Sequence, residues 1–119
     1  MRLPRNRRIT QRRDFARVRR QGNTWRGHFL LLGVLEDETL PDIKIGFITT
    51  RKLGNAVTRN RVRRQLRGVF QRLGDSLKTG AYLVVIPRKD AATASSEALE
   101  KEWKWLVRRS GLYRGGQDG

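Results

Sequence analysis

The run HFLLLGVL (28–35) is almost wholly apolar and rich in branched side chains. It is bounded by Gly27 and by the acidic loop EDETLPD. A short apolar run between turn signals predicts a strand. IKIGFITT (43–50) alternates instead: Ile43, Ile45, Phe47 and Thr49 fall on one side, Lys44, Gly46, Ile48 and Thr50 on the other. That pattern predicts a strand with one clearly apolar face, and the two strands are expected to pair antiparallel across the acidic loop. AYLVVIP (81–87) is nearly all apolar and ends on Pro87, as expected of a strand covered on both faces or central in a sheet.

Three segments repeat at helical spacing. QRRDFARVRRQ (11–21) follows Thr10, an acceptable N-cap, and stops at Gly22. Its large apolar residues, Phe15 and Val18, share a face too thin to be buried on its own account. The segment from Ala56 to about Leu73 is the second helix, with Asn55 or Thr58 to cap it. The third follows Ser95 or Ser96 and runs through EALEKEWKWLVRR, with Gly111 as its C-cap. Leu99, Trp103, Leu106 and Val107 form its core stripe. Glu97 and Glu100 near its start and Arg108 and Arg109 near its end suit the helix dipole. The first eight to ten residues read as a basic arm and YRGGQDG, from residue 113 or 114 onward, as a frayed tail. The order helix, strand, strand, helix, strand, helix predicts one small α/β (α+β) domain over residues 1–119 with a mixed sheet.

The middle helix has two unlike faces. At about 100° per residue, Val62, Leu66, Val69, Phe70 and Leu73 fill an arc of about 100°, the width of a helix lying on a core. Asn60, Arg64, Arg67 and Gln71 cluster opposite, Arg61, Gly68 and Arg72 form a flank, and Arg63 borders the apolar arc. No acid occurs from residue 55 to residue 74, so no i,i+4 ion pair offsets the repulsion among these arginines. An ordinary charged helix face is solvated and idle; one this uncompensated requires a polyanion. Arg51 and Lys52 precede Gly54 and the helix start, where free N–H groups favour phosphate.

Composition sharpens that expectation. The 119 residues carry 27 Lys+Arg against 11 Asp+Glu, a formal charge of +16, and arginine predominates. Guanidinium groups match phosphates bidentately and stack on bases, so nucleic acid is the first candidate partner. A basic membrane-surface protein is the rival, but such proteins usually carry a long amphipathic helix with a strong apolar face. There is no cysteine, hence no disulfide and no thiolate metal site. No apolar run reaches membrane-span length, and the basic N-terminus has no apolar segment of signal-peptide type behind it, so a cytoplasmic protein is expected.

No catalytic set emerges. His28 is the only histidine. It reads as a strand-edge polar residue or an RNA contact. Glu36, Asp37 and Glu38 are consecutive in a loop, unlike carboxylates that converge on two metals. There is no Gly-rich phosphate loop. Neither catalytic nor metal-ligating residues are assigned. Phe15 admits two readings: core, or a groove aromatic that stacks a single-stranded base between Arg12 and Arg19.

RKLGNAVTRNRVRRQLRGVF closely resembles the signature of the protein subunit of bacterial ribonuclease P. The likeness extends upstream through RITQRRDFARVRRQG and downstream through YLVVIPRKDA to the GLY after the last helix, about residues 7–113. It implies a two-layer α/β sandwich, order α-β-β-(β)-α-β-α, with a left-handed strand–helix–strand crossover and an extra strand between residues 20 and 42. It implies the accessory subunit of an enzyme that removes the 5′ leader from precursor tRNA, whose catalyst is its RNA subunit working with Mg2+ held mainly by that RNA. By the same resemblance, Arg51, Lys52, Asn55, Arg59, Asn60, Arg61, Arg63, Arg64 and Arg67 face the RNA subunit, and Phe15, with Arg12 and Arg19, faces the leader. Arg19 and Leu32 stand where many members carry an aromatic, which implies a groove relying more on charge. The competing classes are a small ribosomal or architectural RNA-binding protein without a processing role, and a stand-alone nuclease.

Overall fold

The computed structural model describes residues 7–114. Its elements are α1 (Arg12–Gln21), β1 (Asn23–Arg26), β2 (Leu30–Glu36), β3 (Ile43–Phe47), α2 (Ala56–Leu73), β4 (Ala81–Pro87) and α3 (Ser96–Arg109). β1 is the additional strand expected between residues 20 and 42. It is a four-residue edge strand, and short edges limit unwanted pairing.

The sheet order is β1-β2-β4-β3. β2 and β3 therefore do not pair across the acidic loop, contrary to the sequence-based expectation. β4 lies between them, antiparallel to β2 (Leu32 opposite Val85) and parallel to β3 (Ile45 opposite Leu83). The reason lies in burial. β4 is the strand whose residues are apolar on both sides, and the central slot is where both faces are covered. β3 stops at Phe47 rather than Thr50.

One sheet face presents Leu30, Leu32, Val34, Ile43, Ile45, Leu83 and Val85 to α2 and α3. The apolar arc of α2 and the stripe of α3 dock there as patterned, with Phe70 and Trp103 meeting edge to face at 6.2 Å between centroids. On the other face, α1 lays Val18 and Phe15 over Tyr82, Val84 and Ile86, joined by Ile9. Gly46 makes this close approach possible. A Cβ there would lie 2.4 Å and 2.6 Å from two Phe15 ring atoms.

One cap expectation changes and one is settled. Thr10 is not the cap of α1; Gln11 occupies the cap position without a side-chain bond. Ser95 caps α3, its hydroxyl accepting the Ala98 N–H at 3.0 Å. Parts of the expected arm and tail make defined contacts. Arg7 pairs with Asp42 at 2.8 Å, Ile9 N–H donates to the Ile45 carbonyl at 2.9 Å, and Ile9 is buried. Tyr113 bridges Leu77, and Arg114 N–H donates to the Ser76 carbonyl at 2.7 Å. Residues 1–6 and 115–119 lie outside the described residues.

Candidate nucleic-acid interface

α2 begins from a tight junction. After β3 the chain makes a short 3-10 turn over Arg51–Leu53, burying Leu53 while Arg51 and Lys52 stay exposed. Gly54 then adopts φ 139°, a conformation open to glycine and strained for other residues. Asn55 caps the helix, its Oδ1 accepting the Thr58 N–H at 2.9 Å. Of the two caps the sequence allowed, Asn55 is the one used.

The arginines fall into two groups. Arg59, Arg61 and Arg63 are oriented by neutral oxygens. Arg59 Nη1 donates to the Gly54 carbonyl at 2.8 Å, and Arg61 donates to the Ala92 carbonyl. Arg63 donates to Asn60 Oδ1 at 2.9 Å and Thr49 Oγ1 at 2.5 Å. These bonds fix side-chain direction and leave the charge uncancelled. Arg51, Lys52, Arg64 and Arg67 are exposed, and their side chains have no polar partner among the described residues. The α2 arginine that does meet a carboxylate is Arg72, which reaches Glu100 of α3 at the far end of the helix. That contact holds Glu100 below the usual carboxylate range. From Arg51 to Arg67 the surface is thus cationic, and at Arg59, Arg61 and Arg63 it is pre-oriented, which limits the side-chain ordering needed there to bind an anion. Val57, in the first turn of α2, has 77% of its surface exposed, an apolar side chain that residue spacing did not single out.

Phe15 is half-buried at the margin of the α1 core, over Gly46. Arg12 and Arg19, three before and four after it, are exposed on the same side of α1. β3 links this cluster to the α2 surface: Gly46 lies beneath Phe15, and Thr49, just past the strand end, holds Arg63. Leu32 does not belong to this groove. It is fully buried on the α2/α3 face of the sheet, so its replacement of an aromatic leaves the α1 side unaltered. The aromatic under α1 is Tyr82, with the Arg17 guanidinium 5.4 Å from its ring centroid. Neither Arg17 nor Tyr82 was legible as a pair, because they are far apart in sequence. Arg17 also lies 3.6 Å from Asp37. The Asp37 carboxyl is held low chiefly by the Thr39 hydroxyl, then by the Thr39 N–H and Arg17.

Comparisons with known proteins agree with this geometry. The Ribonuclease P family model matches residues 3–111. The ribonuclease P protein component of Pseudanabaena sp. (strain PCC 6903) is 34% identical over 114 residues, 95% of this chain and 98% of that relative. That of Bacillus cereus (strain AH187) is 33% identical over 107 residues, 90% of this chain and 93% of that relative. Among solved structures, the RNase P protein of Staphylococcus aureus superposes with TM-score 0.83 at 20% identity, covering 90% of this chain and 97% of that one. The RNase P protein of Thermotoga maritima superposes with TM-score 0.78 at 24% identity, covering 86% and 96%. With one family model spanning most of the chain, relatives matched over nearly their whole length and a shared fold, this chain belongs to the ribonuclease P protein component family.

Proposed function

We propose that the chain serves the ribonuclease P holoenzyme as an RNA-docking and leader-holding subunit. The observation that carries this is the α2 face, where Arg59, Arg61, Arg63, Arg64 and Arg67 meet no carboxylate among the described residues. That face docks on the RNA subunit, with Arg51, Lys52, Asn55 and Asn60 extending the contact along the junction. Phe15, Arg12 and Arg19 line the path of the precursor tRNA leader: the ring offers a partly open π-face and the guanidiniums meet phosphates.

The chemistry belongs to the RNA subunit. Among the described residues no three His, Cys, Asp or Glu side chains converge on a point that could hold a metal ion. In this proposal the Mg2+ that phosphodiester hydrolysis requires is assigned mainly to the RNA, and the protein's part is to concentrate and align the two RNAs. No helix among the described residues is long and apolar enough to cross a membrane, and a cytoplasmic site of action fits that.

The decisive experiment combines the purified protein with a bacterial ribonuclease P RNA and a precursor tRNA at low magnesium. Stimulated removal of the 5′ leader is expected; no stimulation sinks the proposal, and cleavage by the protein alone would make it a nuclease in its own right. For the leader groove, Phe15→Ala should weaken binding of leader-bearing precursor more than of leaderless tRNA. An equal loss for both would make Phe15 purely a core residue.

A further inference from the structure

The outer face of α3 carries an aromatic that the fold does not use. Trp105 is 50% exposed. At about 100° per residue it lies across the helix from the buried stripe of Leu99, Trp103, Leu106 and Val107. The Arg109 guanidinium lies over its ring, 5.0 Å from the centroid. Arg108, three residues on, is held over Tyr113 at 4.2 Å. Lys101, four residues before Trp105, is exposed on the same side. One aromatic plane thus stands beside the cations Lys101 and Arg109, with Arg108 engaged at Tyr113.

The acids of α3 leave this face positive. Glu102 turns inward to accept the N–H groups of His28, Phe29 and Leu30. Glu100 lies toward α2, engaged with Arg72 and with Lys104. Glu97 is in the first turn, eight residues or about 12 Å up the axis from Trp105. A protein-docking patch would set Trp105 among other apolar side chains. Among the described residues the other large exposed apolar side chain, Val57, belongs to α2. An isolated indole ringed by cations instead suits an unpaired nucleobase, which stacks on the ring while the cations meet its flanking phosphates.

We infer that Trp105 is a stacking platform for an unpaired nucleotide of the ribonuclease P RNA subunit, with Lys101 and Arg109 on the adjoining phosphates. The inference rests on the proposed docking of that RNA on α2. α2 and α3 cover the same sheet face, so an RNA seated on α2 can continue past α3, whereas a strand held against α1 lies across the sheet.

The test measures equilibrium binding of the cognate ribonuclease P RNA across a salt series for Trp105→Ala, Trp105→Phe, Arg109→Ala and Arg64→Ala, each checked by thermal melting. Stacking is worth about 1–3 kcal/mol per base, so Trp105→Ala should bind about 5- to 150-fold more weakly, and Trp105→Phe should keep most of the affinity. Stacking releases no counterions. The slope of log affinity against log salt should therefore hold for Trp105→Ala and flatten by about one for Arg109→Ala. Wild-type affinity in Trp105→Ala, or a Phe variant as weak as the Ala variant, overturns the inference. So does a Trp105→Ala holoenzyme that binds its RNA normally but captures precursor tRNA poorly. If Arg64→Ala also binds normally, the docking of α2 itself fails; if it alone weakens binding, only the Trp105 platform fails.

Discussion

Glu102 should be the most consequential single charge for stability. Its side chain crosses from α3 to the turn between β1 and β2. Oε1 accepts the His28 N–H at 2.8 Å, and Oε2 accepts those of Phe29 and Leu30, both at 2.7 Å. Hydrogen bonds to an ionised group contribute about 1.5–3 kcal/mol each. A plain sum overstates the effect, because three donors share one carboxylate and water can reach the exposed His28 N–H. Counting the two part-buried donors, and discounting about a third because they share one oxygen, gives about 2–4 kcal/mol for Glu102→Ala. In Glu102→Gln one oxygen remains but the new NH2 faces a backbone donor, so about 1–2 kcal/mol should be lost. For a domain of this size those losses lower Tm by about 8–20 °C and about 4–10 °C. Melts followed by far-UV circular dichroism read both. A Gln variant that melts with the wild type would refute the argument that an all-acceptor group is required. An Ala variant that does so would refute the clamp altogether.

Gly46→Ala drives a methyl into the Phe15 ring and should cost about 1–3 kcal/mol by overpacking, seen as a lower Tm; Phe15→Leu in the same background should recover part of it. Unchanged melting of Gly46→Ala would show that α1 does not sit where described. Arg64→Ala and Arg67→Ala should each flatten the salt dependence of RNA binding by about one unit while leaving folding stability within about 0.5 kcal/mol of wild type. An unchanged slope would remove that arginine from the phosphate contacts. The carboxyl of Asp42 is opposed by burial, which raises it, but the Arg7 hydrogen bond, the Ile43 N–H and the Arg7 charge together hold it low. A depressed carboxyl stabilises the fold above its unfolded value near about pH 4, and that contribution fades as pH falls through the folded value. Acid titration should therefore show less loss in Asp42→Asn than in wild type, and equal acid sensitivity would exclude the Arg7 pair as a source.

Much of this protein follows from local spacing. The span of α2, its apolar arc, its cap at Asn55 and the stripe of α3 depend on periodicity and capping chemistry within a few turns, and they stand as patterned. The expectation that α2 faces a polyanion follows from the missing acids between residues 55 and 74, and no fold is needed to form it. What local pattern does not carry is which strands are neighbours. β2 and β3 look like a hairpin along the chain, yet β4 enters between them because only the central position covers both its faces. The same long-range pairing sends Leu32 to the face away from α1, puts Tyr82 beneath α1, and brings Glu102 to a turn more than seventy residues away. Sequence determined which helix surfaces are greasy and which are charged, since each helix writes its own periodicity. Only the tertiary structure decided which charges are cancelled, because Glu100 and Glu102 find their partners on other elements and leave Arg59, Arg61, Arg63, Arg64 and Arg67 of α2, and Arg109 beside Trp105, without a carboxylate among the described residues.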